Sequence, residues 1–221
     1  MKIKIIGAIA AILVVTGGYF GYLRYEQHKF VESITPHVKN ASLRLANAVR
    51  YETEKDSKIT YKELFEKLES DVSEIDKRIL DVQTIATPSN KEITDPVLTY
   101  LKSSQELIRA ILMKYRKQLA LSSASDWVER ALDDLRSANS YGREYAIKAS
   151  DKAMKDFEKA SKEYDEARAE VLPAVTRMRE AYANAAKSMS PDILANPSIF
   201  EAVAKQNDMK KTKSIDGEGK K

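Results

Sequence analysis

The chain has 221 residues, of which 32% are charged, with 7 glycines, 6 prolines and no cysteine. This length allows one domain with appendages, and the lack of cysteine excludes disulfides, thiolate zinc sites and cysteine nucleophiles. The net charge is +4, but without residues 1–4 and 205–221 the body carries 29 basic and 30 acidic residues. A neutral body gives no electrostatic support for nucleic-acid binding.

Residues 5–23 form an apolar run of 19 residues without a charge, after a short N-terminal flank at residues 1–4. As a helix this run would be roughly 28 Å long, which is enough to cross the hydrocarbon core of a bilayer. Tyr19, Phe20 and Tyr22 near its end are typical of the aromatic belt at a membrane interface. The run therefore predicts one transmembrane anchor. The alternative is a secretory signal peptide that is cleaved near Gly18.

The charges around the apolar run predict its orientation. Lys2 and Lys4 precede it, so the positive-inside rule slightly favours a cytoplasmic N terminus and a body on the other side. In a bacterium this would be a single-pass inner-membrane protein with a periplasmic body. One face of the predicted anchor has mostly small residues, which permit close packing between transmembrane helices: Gly7, Ala10, Val14, Gly17 and Gly21.

Residues 24–189 have the apolar spacing of long helices, joined by short breaks. Thr35-Pro36 predicts a helix start, although a helix continuous with the anchor is the alternative. Thr60 and Glu63 have capping-box spacing and predict the start of a second helix. Asp95-Pro96 predicts the start of a third helix, and the polar residues 122–125 predict its end. Short connections favour an elongated antiparallel bundle or coiled coil.

Residues 126–189 have apolar and small residues at intervals of three or four, which predicts one long helix. Gly142 lowers helix propensity by about 1 kcal/mol relative to alanine, so the chain either continues there or folds back. Pro173 cannot donate a hydrogen bond to Ala169 and predicts a kink. Trp127, the only tryptophan, is predicted to close one end of the core.

The remaining residues predict a short terminal helix and a tail. Asn196-Pro197 predicts the helix start within residues 190–206, and residues 207–221 are predicted to be a disordered basic tail. The fold class is therefore all-α: an elongated antiparallel helical bundle or coiled coil, with one N-terminal transmembrane helix and a disordered C-terminal tail.

The second half of residues 126–189 has no obvious partner within the chain. We therefore predict a partner interface at apolar residues of this half and of the terminal helix. If the residues of the long helix are buried within one chain, the terminal helix is the expected contact. The predicted interface residues are Tyr164, Val171, Met178, Ile199, Phe200 and Val203.

The sequence has no pattern that indicates catalysis. His28 and His37 lack the Glu-x-x-His spacing of metal-binding bundles, and phosphate-binding or nucleophile motifs are absent. We expect no enzyme activity, metal, cofactor or small-molecule substrate.

The expected function is that of a membrane-anchored extracytoplasmic scaffold or adaptor. It would contact the lipid bilayer and bind a protein partner or a second copy of itself. The alternative is a sensory ligand-binding bundle that acts through a separate membrane partner. Such a bundle resembles, in architecture only, the extracytoplasmic four-helix domains of bacterial receptors, and this chain differs from them in having no second apolar segment.

Overall fold

The computed structural model describes the backbone of residues 2–53 and 59–216, and the side chains of residues 21–53 and 59–207. A single 3-10 turn, Pro88–Asn90, precedes the third helix, and the described residues contain no strand, which confirms the predicted all-α class. The helices are α1 Lys2–Thr53, α2 Tyr61–Ile85, α3 Lys91–Ser137, α4 Arg143–Ala169, α5 Val171–Ala185 and α6 Ser198–Asp216.

The predicted anchor at residues 5–23 lies almost wholly outside the residues whose side chains are described, as do Gly7, Ala10, Val14 and Gly17. The backbone of this segment belongs to α1. Gly21 is described, and a Cβ built on it would have no neighbour within 4 Å. Among the residues that the structure describes, no helix has the length and apolar character needed to cross a membrane.

The body of the molecule is built from antiparallel neighbours. Arg44 of α1 lies 3.1 Å from Asp71 of α2, and α2 packs in turn along α3. Lys117 of α3 lies 2.7 Å from Glu163 of α4. After α4, α5 packs along α3 towards the N terminus of α3. The predicted antiparallel bundle is confirmed, with α3 at its centre.

One hydrophobic core runs through α1, α2, the first half of α3, α5 and α6, and α4 contributes no member of it. The core ends along α3 at Leu112. The largest apolar side chains that are fully buried are Ile34, Leu45, Leu68, Ile75, Tyr100, Leu101, Leu107, Ile108, Ile111, Met178 and Phe200.

Helix α2 follows the sequence prediction closely. The Thr60 hydroxyl accepts a hydrogen bond from the Glu63 backbone, and the Glu63 carboxylate accepts one from the Thr60 backbone, so the predicted capping box is present. Its apolar seam faces α1 and α3 because residues three and four apart share one helix face. The fully or largely buried seam residues are Leu64, Leu68, Ile75, Ile79 and Val82, while Val72 and Ile85 are partly buried.

The predicted helix start at Thr35-Pro36 is wrong, because α1 continues through Pro36. A proline inside a helix costs about 3 kcal/mol, since it removes a hydrogen bond and crowds the preceding turn. Here Ile34 and Val38, on either side of the proline, are both fully buried. Their packing keeps the helix intact, and the Thr35 hydroxyl bonds back to the Val31 carbonyl at 2.7 Å, as helical hydroxyls do.

Helix α3 differs from the sequence prediction at both ends. It begins at Lys91 and includes Pro96, because Thr94, two residues earlier, is buried and its hydroxyl donates to the Asn90 carbonyl at 2.9 Å. The predicted break at residues 122–125 does not occur. The serines there are exposed, and their small unfavourable propensity is offset by packing of the same helix against α4.

The long stretch 126–189 is not one helix. The chain folds back at residues 138–142, where the Gly142 amide donates to the Asn139 side-chain oxygen at 3.0 Å. This is the second of the two alternatives at Gly142. The helix is interrupted close to Pro173, since α4 ends at Ala169 and α5 begins at Val171. The reason is that Pro173 has no amide hydrogen to donate to the Ala169 carbonyl.

The terminal helix begins where the sequence predicts and extends further than expected. The Ser198 amide donates to the Asn196 side chain at 3.0 Å. Helix α6 then continues to Asp216, into the segment predicted to be disordered, and residues 217–221 lie outside the described part. Asn207 is buried and its amide bonds to the Val203 carbonyl at 2.9 Å, which ties this turn of the helix to the body.

A buried polar cluster joins α1, α3 and α6 where the hydrophobic core ends. Glu52 and Lys114 form an ion pair whose side chains are 0% and 1% exposed. The Asn207 amide lies 3.3 Å from the same Glu52 oxygen, and the Arg168 guanidinium donates to the Asn207 carbonyl at 2.6 Å. A buried ion pair of this kind fixes the register of the helices that carry it, since a shift would leave a charge unpaired.

We expect Lys114→Met to lower the free energy of unfolding by about 3–5 kcal/mol, because it leaves the Glu52 carboxylate buried without its charge partner. The matched control is Lys117→Met, whose ion pair with Glu163 is 35% exposed on each side and should contribute about 0–1 kcal/mol. Urea unfolding followed by circular dichroism gives both values.

Combining Glu52→Leu with Lys114→Met should restore most of the lost stability, because neither buried charge remains. Equal losses for Lys114→Met and Lys117→Met would show that the buried pair does not hold the helices together.

Candidate partner-binding surface

The second half of α3 and the first half of α4 form a two-helix projection, which we call the distal hairpin (residues 121–159). Glu52, one residue before the end of α1 at Thr53, pairs with Lys114. Near the start of α2, Phe65 packs under the Arg116 guanidinium at 5.9 Å. α1 therefore ends, and α2 begins, no further along α3 than about residue 120. The hairpin extends roughly 27 Å beyond that level.

The two helices of the distal hairpin touch along a seam of mostly small residues. Ala131, Ala146 and Ser150 are buried, because small side chains let the helices approach closely. The other seam residues are half-buried, since no third helix of the body covers this pair: Leu121, Ala124, Val128, Leu135, Ala149, Ala153 and Phe157. A pair of helices with this seam buries little apolar area of its own.

One side of the hairpin carries exposed aliphatic residues, and we call it the apolar flank. Leu132, Ile147 and Met154 each follow a seam residue directly. In two antiparallel helices, residues that follow the seam fall on the same side of the pair. They are 36%, 44% and 45% exposed, so three large apolar side chains lie in contact with solvent along one side.

The opposite side carries aromatic residues, and we call it the aromatic flank. Trp127 and Tyr145 each precede a seam residue, and they are 63% and 80% exposed. The Arg130 guanidinium stacks over the Trp127 ring at 5.5 Å from its centroid. Tyr141, in the turn at the tip, is 97% exposed. Tryptophan, tyrosine and arginine are the residues most often found as energetic anchors of protein interfaces.

The two flanks differ in charge. The apolar flank of the hairpin carries three carboxylates, Glu129, Asp151 and Glu158, and one basic residue, Arg136, which pairs with Asp133 at 3.0 Å. The aromatic flank carries Asp134 and Asp156 beside Arg130 and Lys152. Its two other lysines are paired with carboxylates, Lys148 with Glu144 at 2.7 Å and Lys159 with Glu163 at 3.9 Å.

The base of the hairpin is a buried, polar environment that changes the ionisation of two tyrosines. Burial, and after it the nearby Glu52 charge, raises the pKa of Tyr115, whose hydroxyl donates to the Tyr51 carbonyl at 2.8 Å. Burial also raises the pKa of Tyr164, where the Arg168 charge opposes the shift. Both phenols stay protonated over the physiological range, and that of Tyr115 acts as a hydrogen-bond donor.

The structure places most of the predicted interface residues inside the core. Val171, Met178, Phe200 and Val203 are fully buried, whereas Ile199 and Tyr164 are half-buried. The cause is α6, which packs against α1 and α5 and covers the face expected to be free. Burial argues against a partner contact at Val171, Met178, Phe200 and Val203, whereas at the half-buried Tyr164 and Ile199 the interface stays a prediction.

Trp127 is also not where the sequence predicted it. The plug expected at the end of the core is instead an exposed side chain on the aromatic flank. The signal was present in the sequence: the seam of α3 runs through Ala124, Val128 and Ala131, and Trp127 falls one residue before it. The sequence also indicates that Glu52 and Lys114 are buried, because each lies three or four residues after a core residue of its own helix.

A separate open groove of about 570 Å³ lies between α1 and the connection before α6. Lys39, Asn40 and Leu43 line it from α1, and Asp192 and Ile193 from the connection. The Asn40 side-chain oxygen is buried and has no hydrogen-bond partner. In size this groove falls within the range of small-molecule sites, although it is open rather than enclosed.

The histidines form contacts with carboxylates rather than a cluster. His37 lies 3.0 Å from Asp81, and the exposed His28 lies 3.7 Å from Glu32. Over the residues that the structure describes, no group of three or more histidine, aspartate and glutamate side chains is arranged to hold a metal ion.

Comparisons with protein-family models, with curated proteins and with solved structures each give no match to this chain. The function therefore has to be argued from the surfaces described above.

We expect the stability of the protein to fall as the pH rises above about 10, the ordinary tyrosine pKa. The unfolded chain loses the Tyr115 proton there, while the raised pKa keeps that proton on in the folded chain, so the folded state binds more protons. Urea unfolding between about pH 9 and pH 11 measures the slope.

Tyr115→Phe should make that slope shallower by up to about 1.4 kcal/mol per pH unit, the value for one proton. An unchanged slope in Tyr115→Phe would show that this phenol ionises equally in both states. Tyr100, which is also buried with a raised pKa, accounts for part of the slope that remains.

We expect the fluorescence of Trp127 to be that of an indole in water, with strong quenching by acrylamide, because the ring is 63% exposed. No other tryptophan contributes, since the chain has one. Blue-shifted emission with weak quenching would instead place Trp127 in a buried contact.

Proposed function

We propose that the protein is a membrane-anchored helical scaffold or adaptor that presents the distal hairpin to a protein partner. The observation that carries this proposal is the position of Trp127, Arg130 and Tyr145. Arg130 stacks on Trp127, and Tyr145 lies on the same side of the hairpin, on a projection that the rest of the body leaves uncovered. Large exposed side chains grouped on one surface mark interaction sites more often than scattered ones do.

The geometry of α1 supports the membrane part of the proposal. α1 includes the apolar run near its start and ends at Thr53, and the distal hairpin extends further in the same direction. Anchor and tip therefore lie at opposite ends of the molecule. From residue 24 to the tip the helices span roughly 80 Å, so the aromatic flank would be held well clear of the bilayer with the body on the extracytoplasmic side.

The charge of the aromatic flank indicates the chemistry of the partner. The Arg130 guanidinium stacks on Trp127 and the aromatic rings are accessible, so the flank suits an apolar surface that carries a carboxylate for Arg130. Rim charges of this kind mainly accelerate and orient association, while buried aromatic anchors provide most of the affinity.

We expect Trp127→Ala combined with Tyr145→Ala to release the partner, since each interface anchor contributes about 2 kcal/mol or more. The matched control combines Leu43→Ala with Leu80→Ala, which remove side chains of similar exposure, 59% and 62%, from the body. The measurement is chemical crosslinking and copurification of the full-length chain from its native membranes.

The wild type and the body variant should retain the same crosslinked species, and the hairpin variant should lose it with its circular dichroism unchanged. Retention by the hairpin variant would move the docking site elsewhere. A wild-type chain that leaves the membrane alone and monomeric would contradict the scaffold function itself.

The membrane anchor has its own test, because the alternative is a cleaved signal peptide. An anchored chain stays in the membrane pellet after alkaline carbonate extraction and has the mass of the whole sequence. A chain cleaved near Gly18 would be released and would be lighter by the N-terminal segment.

A second function, ligand sensing through a separate membrane partner, is favoured by one observation. The groove between α1 and residues 192–196 is lined by the polar residues Lys39, Asn40 and Asp192. A small polar ligand bound there would raise the melting temperature, because ligands that bind only the folded state stabilise it. Asn40→Ala should abolish that shift.

A further inference from the structure

The aromatic flank leads into a groove of the body. This open groove of about 300 Å³ lies between α3 and the end of α4, and Ala110, Met113 and Ala167 are among the residues that line it. Met113 lies about four helical turns before Trp127, so the two residues are on the same side of α3. The groove therefore continues the aromatic flank towards the body.

The two helices of the distal hairpin are in register. α3 ends at Ser137 and α4 begins at Arg143. Lys117 and Glu163 are equally far along the chain from these two helix ends, and they lie 2.7 Å apart. The depth of any residue below the tip therefore follows from its position in its own helix, at roughly 1.5 Å per residue.

Two copies of the hairpin fit together when they point in opposite directions with their aromatic flanks face to face. In such an overlap the depths of two facing residues add up to the length of the overlap. Trp127, at a depth of roughly 15 Å, faces its own counterpart when the overlap is roughly 30 Å, close to the length of the hairpin. Tyr141, in the turn beyond both helix ends, then reaches a depth of roughly 33–36 Å in the second copy, which is the depth of Met113 and Ala167 in the groove.

The charges of the aromatic flank are complementary in the same overlap. Arg130 at a depth of roughly 10 Å faces Asp156 at roughly 20 Å, and Asp134 at roughly 5 Å faces Lys159 at roughly 24 Å. The ion pairs that described residues form do not include Arg130, Asp134 or Asp156. Lys159 remains 77% exposed, and its neighbour Glu163 also binds a second lysine at 2.7 Å.

Two copies that point in the same direction would fit less well. Facing residues would then have equal depths, so Arg130 would lie between Lys148 and Lys152 of the second copy. Like charges that face each other across an interface are unfavourable. Tyr141 would also stay at the common tip, far from the groove.

The overlap is large enough for a specific interface. Two helices side by side are roughly 20 Å wide, so an overlap of roughly 30 Å covers roughly 600 Å² of each copy. The total of about 1,200 Å² is at the lower end of the range for specific interfaces. Trp127 at the centre and Tyr141 at each end belong to the residue types that most often provide binding energy.

We propose that the aromatic flank binds the aromatic flank of a second copy of this chain, in the opposite direction, with Tyr141 of each copy in the groove at Met113 of the other. Each contact occurs twice, so the assembly closes as a dimer. Two anchored chains joined in this way belong to two facing membranes, roughly 130 Å apart. The inference rests on the proposed function, because it names the partner of the same flank.

Engineered cysteines in the full-length chain in detergent test the direction of the contact, since the chain has no cysteine of its own. Lys152 lies on the aromatic flank at nearly the depth of Trp127, close to the twofold axis. Oxidation of Lys152→Cys should therefore give a disulfide-linked dimer. The matched control is Asp151→Cys, which is exposed at the same depth on the apolar flank and should stay monomeric.

A mixture of two single-cysteine chains tests where the tip binds. Tyr141→Cys mixed with Met113→Cys should give the mixed disulfide. Tyr141→Cys by itself should give none, because the two tips of the dimer lie roughly 40 Å apart. A disulfide-linked dimer of Tyr141→Cys alone would show that the copies point in the same direction, and would overturn the proposal.

A charge swap tests the contact without cysteines. Arg130→Glu or Asp156→Lys alone should weaken the dimer several-fold, and both changes in one chain should restore it. Within one chain the two residues differ in depth by roughly 9 Å and lie on different helices, so they compensate each other only between copies. Light scattering against protein concentration measures the association. The exposed-indole emission of Trp127 in the single chain should shift to the blue as the dimer forms.

The outcomes separate this inference from the function on which it rests. A different protein that crosslinks to the aromatic flank, with no dimer of Lys152→Cys, would overturn the inference and leave the proposed function standing. No crosslinked species of any kind would contradict both. In distance measurements within one chain, an excess of unlabelled chain removes the distances between copies.

Discussion

The buried ion pair between Glu52 and Lys114 is the interaction on which the arrangement of this molecule depends. It lies where the apolar core ends, and it connects the last turn of α1 to the middle of α3. Asn207 of α6 joins the same Glu52 oxygen. Because a buried charge without a partner is costly, these three helices can associate in only one register. That register determines how much of α3 and α4 is left uncovered.

The uncovered part is short in sequence and distinctive in chemistry. In the body, α3 is surrounded by α1, α2 and α5, so its apolar residues are buried on several sides. Beyond residue 120 only α4 remains, and the same helical spacing then leaves large side chains exposed. Small seam residues such as Ala131 and Ala146 hold the two helices close together. Trp127 and Tyr145 are left free to contact another molecule, which is what a scaffold or adaptor requires.

The sequence predicts the local structure better than the assembly. The capping box at Thr60, the seam of α2 and the helix interruption just before Pro173 follow from short-range chemistry, and all three are present. The helix starts predicted at Pro36 and Pro96 are wrong, because burial of the residues on both sides of each proline outweighs its preference for the first turn of a helix. Periodicity identifies residues that share a face, as for Val171 and Met178, but it does not tell which helix covers that face. Here α6 does, from a distant part of the chain, so Val171 and Met178 are core residues and the large exposed side chains lie elsewhere.

The most direct measurement is the distance between spin labels on Leu80→Cys and Tyr141→Cys, which is clean because the chain has no cysteine of its own. Leu80 lies in α2, where Asp76 is 3.5 Å from Arg109 of α3, and both labelled residues are exposed. A hairpin that extends straight from the body gives a narrow distribution at roughly 50–55 Å. A much shorter distance, or a broad one, would show that the hairpin folds onto the body or has no fixed direction, and would contradict its role as a presented binding surface.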